Sequence, residues 1–308
     1  MIVVVAPGQG SQTPGFLAPW LDVPSVAEQV AAHSEAVGID LAAHGTESDG
    51  DTLRDTAVAQ PLIVSAGLVS LAALLEGGRR DRIAGIAGHS VGEITAAAGA
   101  GVLSEADALV FVRERARAMA DAAAATPTAM SAVLGGDEEA LLARLDALGL
   151  EPANYNGGGQ IVVAGAVDAL AALKEEPLHG TRVIPLQVAG AFHTHYMASA
   201  RDSLATVAAE LAPADPSLRL WTNRDGSLVT SGARFLELLV GQVASPVRWD
   251  LCMAAFAEAG ITGIIELAPA GALVGLAKRG LKGVPSIAIK SPDDLGAARA
   301  FLDEHAAQ

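Results

Sequence analysis

The sequence predicts an α/β protein: a large parallel-sheet domain with a smaller α+β domain inserted into it. Three observations predict this. A strand-like run, Ile2 to Ala6, ends in a glycine-rich turn, Pro7-Gly8-Gln9-Gly10-Ser11-Gln12. A second run, Asp81 to Ala87, enters Gly88-His89-Ser90-Val91-Gly92-Glu93 and then an apolar helix, Ile94 to Gly101. Strand, tight turn and helix in succession form the unit of a parallel sheet. From about residue 128 to 188 the rhythm changes to β-α-β-β-α-β, the split βαβ or ferredoxin-like pattern.

Composition fits a packed protein. The chain has 308 residues, of which 51% are hydrophobic and 18% charged, enough apolar matter for a sizeable core. Lys and Arg total 20 against 35 Asp and Glu, a formal net charge of -15. That argues against nucleic acid or an anionic membrane as the main partner, since both reward a positive field. Cys252 is the single cysteine, which excludes an intrachain disulfide and a Cys-rich zinc site. The start, Met1 to Val5, lacks the basic region and the length of a signal peptide, so the expected setting is cytoplasmic.

The elements follow in order. Thr56 to Leu75 carries no charge; Gln60-Pro61 interrupts it, and Leu62 to Leu75 has the length of a buried core helix and not of a membrane span. Met130 to Leu134 is strand-like. Asp137 to Leu148 is helical with Asp137 as N-cap. Pro152 to Asn156 and Gln160 to Gly165 make a hairpin across Gly157-Gly158-Gly159. Asp168 to Glu176 is helical and Arg182 to Val188 a strand. The expected partition is therefore 1–127 with 189–308 as the large domain and 128–188 as the insert. Gly263 to Leu267 is a further core strand.

Gly88-His89-Ser90-Val91-Gly92 matches G-x-S-x-G, which marks the large domain as α/β-hydrolase-like. The turn is so sharp that the flanking positions must be small, and it thrusts Ser90 Oγ out at the carboxyl edge of the sheet. The N–H of Val91 and the following helix start point where an oxyanion would form. A nucleophilic serine needs a base. His89 is held in the turn itself. His193 and His195 lie in a loop leaving a strand, and the pattern alone does not separate them; a metal site on His-x-His would lack a third ligand. Between Ser90 and His193 the acidic residues fall on what read as surface faces of helices. A Ser-His pair with its imidazole held by a backbone carbonyl is therefore expected in place of a triad.

The stretch Ala108 to Asp121 is helical. At ~100° per residue, Ala108, Phe111, Val112, Ala116 and Met119 share one arc and Arg113, Glu114, Arg117 and Asp121 the opposite one. Arg115 falls in the middle of the apolar arc. A guanidinium there needs an anion, which is either a structural salt-bridge partner or a substrate carboxylate held bidentately beside the nucleophile.

Together these motifs resemble the malonyl-CoA:acyl carrier protein transacylase family, which includes the acyltransferase domains of fatty acid and polyketide synthases. The resemblance rests on Pro7 to Gln12, Gln60-Pro61, Gly88 to Glu93, Arg115 with Met119, Phe192-His193, and Glu266-Leu267 with Pro269 and Gly271, in that order. Ala6, Ala191 and Ala268-Pro269-Ala270-Gly271 depart from the commoner residues. The resemblance implies Ser90 as nucleophile, His193 as base and the N–H groups of Gln9 and Val91 as oxyanion hole. It implies that Arg115 binds the malonyl carboxylate with Gln160 in support, and that Met119 and Phe192 line the acyl site. It places the histidine-orienting carbonyl at Ser245, in Ser245-Pro246-Val247. Malonyl-CoA as substrate, acyl carrier protein as partner, no bound cofactor or metal, and a monomer are further implications.

Two other functions share some of these features. A serine esterase or thioesterase has the elbow but needs an acid before the histidine and an H-G-G-G-type loop, and it gives Arg115 no purpose. A nucleotide-binding module built on Gly8-Gln9-Gly10 would need a third glycine or Gly-Lys-Ser/Thr. Acyl carrier proteins are acidic, so docking on a chain of net charge -15 requires a local positive patch. Lys278, Arg279 and Lys282 are one candidate, and Arg79, Arg80 and Arg82 the other.

Overall fold

A computed structural model describes residues 1–188 and 190–306. Ala189, where the second segment of the large domain is placed to begin, lies outside the described residues, as do Ala307 and Gln308. Among the described residues ten strands form two sheets: β1 Ile2–Ala6, β2 Ile83–Gly88, β3 Thr128–Gly135, β4 Glu151–Gly157, β5 Gln160–Ala166, β6 Thr181–Pro185, β7 Arg219–Leu220, β8 Val247–Arg248, β9 Gly263–Glu266 and β10 Ser286–Ala288. The first sheet has the order β10-β9-β1-β2-β7 and is parallel throughout. Its central strand β1, Ile-Val-Val-Val-Ala, is buried along its whole length, as a strand covered on both faces by helices must be.

The helix Thr56–Leu75 packs into this core. It begins six residues earlier than the apolar run suggests: Asp55 accepts from the Ala57 N–H at 2.8 Å and caps it, and Pro61 is carried inside the helix. The residue before it that the sequence reads as an interruption, Gln60, is buried. Glu105–Ala125 lies against Thr56–Leu75 and turns the predicted arc inward, with Phe111, Val112, Arg115, Ala116 and Met119 all buried.

The second sheet has the order β6-β3-β5-β4-β8. Its first four strands are antiparallel neighbours with helices Glu138–Leu148 and Val167–Glu175 between them, the ferredoxin-like arrangement. Asp137 caps the first of these helices, accepting from the Ala140 N–H at 2.9 Å. The fifth strand differs from expectation. β8 comes from the far C-terminal part of the chain and pairs parallel with β4, Asn154 opposite Val247 and Tyr155 opposite Arg248. The Arg248 guanidinium lies 4.5 Å over the Tyr155 ring. Main-chain pairing thus crosses between the insert and the rest of the chain.

Candidate active site

β2 runs straight into the turn that carries Ser90. A Cβ on Gly88 would sit 2.0 Å from the Gly92 carbonyl carbon, and one on Gly92 would sit 2.2 Å from the Ala6 oxygen, so both positions admit only hydrogen. Ser90 itself adopts φ +54°, a left-handed conformation that costs a non-glycine residue free energy and persists where neighbours over-determine it. Asn223 supplies that constraint from the loop after β7. Its Oδ1 accepts from the Ser90 N–H at 2.8 Å, and its Nδ2 donates to the Gly88 carbonyl at 2.7 Å. Val91 is the N-cap of the helix Gly92–Ala100.

His193 Nε2 lies 2.7 Å from Ser90 Oγ. The structure therefore separates the two histidines: His195 turns out to Glu151 and is largely exposed. His193 Nδ1 donates to the Gln242 carbonyl at 2.8 Å, which fixes the proton on Nδ1 and leaves Nε2 as the acceptor for the serine hydroxyl. The family resemblance implies the orienting carbonyl at Ser245. That place is taken by the Gln242 carbonyl, three residues earlier. The reason is the path of the chain: the helix Gly232–Gln242 ends beside His193, whose own N–H bonds the next carbonyl, Val243, at 3.0 Å. Burial, with the nearby Arg115 cation adding to it, pushes the His193 imidazole down to about 3. It is a neutral base at physiological pH.

Arg115 is 1% exposed. Its Nη1 donates to Gln60 Oε1 at 2.6 Å, and its Nη2 donates to Gln242 Oε1 at 2.8 Å and to Ser90 Oγ at 3.4 Å. These partners are neutral oxygens, so the salt-bridge alternative is not what holds it. Burial brings the guanidinium down to about 10, against the opposing charge of Glu93. Gln160, expected beside Arg115, is elsewhere. It opens β5, lines the cavity over Ser90, and accepts from Asn156 at 3.3 Å and from Arg279 at 3.5 Å. Gln60 and Gln242 take the supporting role instead.

Glu93 also departs from the expectation that nearby acids face solvent. It is 1% exposed, in the first turn of the helix after the elbow. Its Oε1 accepts from the Asn223 N–H at 2.6 Å, and its Oε2 accepts from Gln242 Nε2. Burial pushes its carboxyl up to about 7, against those donors, the Thr222 hydroxyl and the Arg115 charge.

A cavity of about 440 Å³ opens over Ser90 and His193. The large domain lines it with Gln9, Val91, Met119 and Phe192, and the second sheet with Asn156 and Gln160. Leu273 and Leu276 form another wall. The Glu266 motif holds that wall. This fully buried carboxylate accepts from the Gly271, Leu273 and Val274 N–H groups, each at 2.9 Å. Arg279 stands among the lining residues, with Lys278 and Lys282 exposed beside it in sequence. The other basic cluster sits at the start of β2, the strand end opposite the elbow. There Arg79 and Arg82 pair with Asp303 and Arg80 donates to Ser217 at 2.8 Å.

Four contributors escaped the sequence reading: Gln60 in its support of Arg115, the side chain of Gln242, Asn223 and Glu93. Gln60 and Glu93 lie within the Gln60-Pro61 and Gly88 to Glu93 motifs, and their burial is the missing signal. Gln242 and Asn223 are single polar residues at a helix end and in a loop, where polar residues are ordinary.

The model of the acyl transferase domain matches residues 3–298 of the chain. The chain belongs to the acyl transferase domain family. Among members of this acyl transferase family, a malonyl CoA-acyl carrier protein transacylase of Mycobacterium tuberculosis is 53% identical over 299 residues, 96% of this chain and 98% of that protein. The transacylase of the same description from Escherichia coli is 32% identical over 302 residues, covering 96% and 97%. The crystal structure of MCAT from Mycobacterium tuberculosis matches with a TM-score of 0.94 at 51% identity, covering 97% of this chain and 99% of that one. A structure of a type II PKS acyl-carrier protein in complex with its malonyl-transacylase matches with a TM-score of 0.91 at 29% identity, covering 97% and 99%. The α/β-hydrolase-like large domain with a small inserted domain is the fold they share with this acyl transferase.

Proposed function

We propose that the protein transfers a malonyl group from malonyl-CoA to the phosphopantetheine thiol of acyl carrier protein, through a malonyl ester on Ser90. The observation that carries this reading is the buried Arg115 guanidinium, held by two glutamine oxygens and 3.4 Å from Ser90 Oγ. A cation in that place, without a carboxylate of its own, suits an acyl group ending in one.

In the first half-reaction His193 Nε2 takes the hydroxyl proton as Ser90 Oγ attacks the thioester carbonyl. The oxyanion sits on the N–H groups of Gln9 and Val91, each worth about 3 kcal/mol in comparable sites. Collapse breaks the C–S bond, and the CoA thiolate takes the proton from His193. In the second half-reaction the carrier thiol gives its proton to His193 and attacks the ester. Ser90 Oγ leaves and recovers that proton. Arg115 selects a dicarboxylic acyl group and fixes its carbonyl at the serine; Met119 and Phe192 line the acyl site.

The carrier docks, on this reading, at the cavity mouth on Lys278, Arg279 and Lys282, where its negative surface meets cations beside the thiol's entry. The cytoplasm is the compartment that fits, and 128–188 is the inserted unit.

The test is an intact mass spectrum after mixing the protein with malonyl-CoA and no carrier, beside a Ser90→Ala control. A malonyl adduct on the wild type alone is expected. Steady CoA release without adduct would instead make the protein a thioesterase. Neither adduct nor release would reopen the acyl donor.

A further inference from the structure

Glu93 is a buried carboxyl that the mechanism above does not use. Its two donors come from two places: the Asn223 N–H at 2.6 Å and the Gln242 Nε2–H. Both oxygens of Glu93 thus face donors, and only a carboxylate has two oxygens that accept without offering a hydrogen.

Gln242 is the residue through which this matters. Its amide has one oxygen and one NH₂, and the two ends face different neighbours. The oxygen accepts from Arg115 Nη2 at 2.8 Å, and the NH₂ donates to Glu93 and, at 3.0 Å, to the Ser90 carbonyl. Turned the other way, the amide would set NH₂ against the guanidinium, donor against donor, and its oxygen against a carboxylate. The carboxylate at 93 forbids that turn. Glu93 and Gln242 also line a separate cleft of about 220 Å³ that shares no lining residue with the cavity over Ser90. Glu93 does not line the cavity over Ser90, and its contacts lead to the reaction through Gln242 and Arg115.

We propose that Glu93 is a positioning residue for dicarboxylic acyl selection: it locks the Gln242 amide so that its oxygen holds the Arg115 guanidinium toward the acyl site, and it balances the buried cation from a distance without occupying it. A direct ion pair would spend the guanidinium on the protein. A carboxylate one glutamine away favours the charged guanidinium without taking any of its hydrogen bonds. The inference rests on Arg115 as the malonyl clamp.

The experiment compares malonyl-CoA and acetyl-CoA as donors for wild type, Glu93→Gln, Glu93→Asp and Arg115→Ala. Each is normalised to the fraction of enzyme whose Ser90 reacts with a fluorophosphonate, which reads the Ser-His pair and not the clamp. In Glu93→Gln the single amide oxygen cannot satisfy both Asn223 and Gln242. Malonyl kcat/KM is expected to fall about 10- to 100-fold, mostly in KM, with acetyl transfer changed less than about 3-fold. Glu93→Asp keeps two acceptor oxygens and should recover part of the loss. If Glu93→Gln does not label, Glu93→Asp decides by the same ratio, with malonyl falling several-fold more than acetyl. Equal loss for both donors, or none, overturns the inference. Arg115→Ala separates the two failures. If it too loses both donors equally, the clamp itself is wrong; if it is malonyl-selective and the Glu93 variants are not, only the role of Glu93 falls.

Discussion

His193 shows how one residue's surroundings set its chemistry. Its imidazole is brought down to about 3 from the ordinary 6.5, so as pH falls the unfolded chain takes up the proton first. Its contribution to stability is full above pH 6.5 and is lost as pH falls from 6.5 toward 3. Glu93 has the opposite sign. Raised to about 7 from 4.5, it contributes fully below pH 4.5 and loses that contribution as pH rises to 7. Between 4.5 and 6.5 the two slopes oppose. A His193→Ala variant removes the His193 slope and leaves the others. The stability gap between wild type and variant, from urea denaturation, should shrink as pH is lowered through that window, and a widening gap would refute the assignment. At this scale the sequence was readable where a motif fixed a side chain's direction: Ser90 from the elbow, Arg115 from the helical arc. It was silent between His193 and His195, because an alternation in a loop carries no facing information. It misplaced the orienting carbonyl by three residues, because every residue has a carbonyl and only the path of the helix end says which one arrives.

Among the elements, those with a local cause came through best. Asp137 caps its helix as its side chain dictates, and three glycines in a row made the β4–β5 hairpin plain. Two element boundaries did not, one of them despite a local cap. The core helix starts at Thr56 because Asp55 caps it, and β6 ends at Pro185, short of Val188. Two glycines give contrasting tests. At Gly92 a methyl would overlap the Ala6 oxygen on the neighbouring strand. Backbone there has no room to yield, so Gly92→Ala should cost about 3 kcal/mol or more. Gly275 lies inside the helix Ala272–Gly280 with nothing within 4 Å of the added carbon. Gly275→Ala should raise stability by about 0.5–1 kcal/mol. Guanidinium chloride midpoints of the two variants against wild type check both signs.

For the molecule as a whole, the charge balance and the two-domain rhythm were legible, while the sharing of β8 was not: a two-residue strand has no periodicity to read, and its partner lies some ninety residues earlier. Net charge -15 makes the cavity mouth the place where sign matters. Reversing Lys278 and Lys282 to Glu should raise the KM for carrier protein several-fold at low salt and leave that for malonyl-CoA within about 2-fold, with the difference fading as salt screens it. An unchanged carrier KM would move the docking site elsewhere. The strand pairing of Asn154 and Tyr155 with Val247 and Arg248 bears on any attempt to build chimeras from such enzymes. A graft that exchanges only 128–188 brings in a β4 edge that must zip against a foreign Val-Arg ribbon. Where the ribbon does not match, that edge is left bare, an invitation to self-association. The transplantable piece is discontinuous: the insert together with the stretch from Ser245 to Asp250, whose carboxylate clasps Arg248 through two bonds.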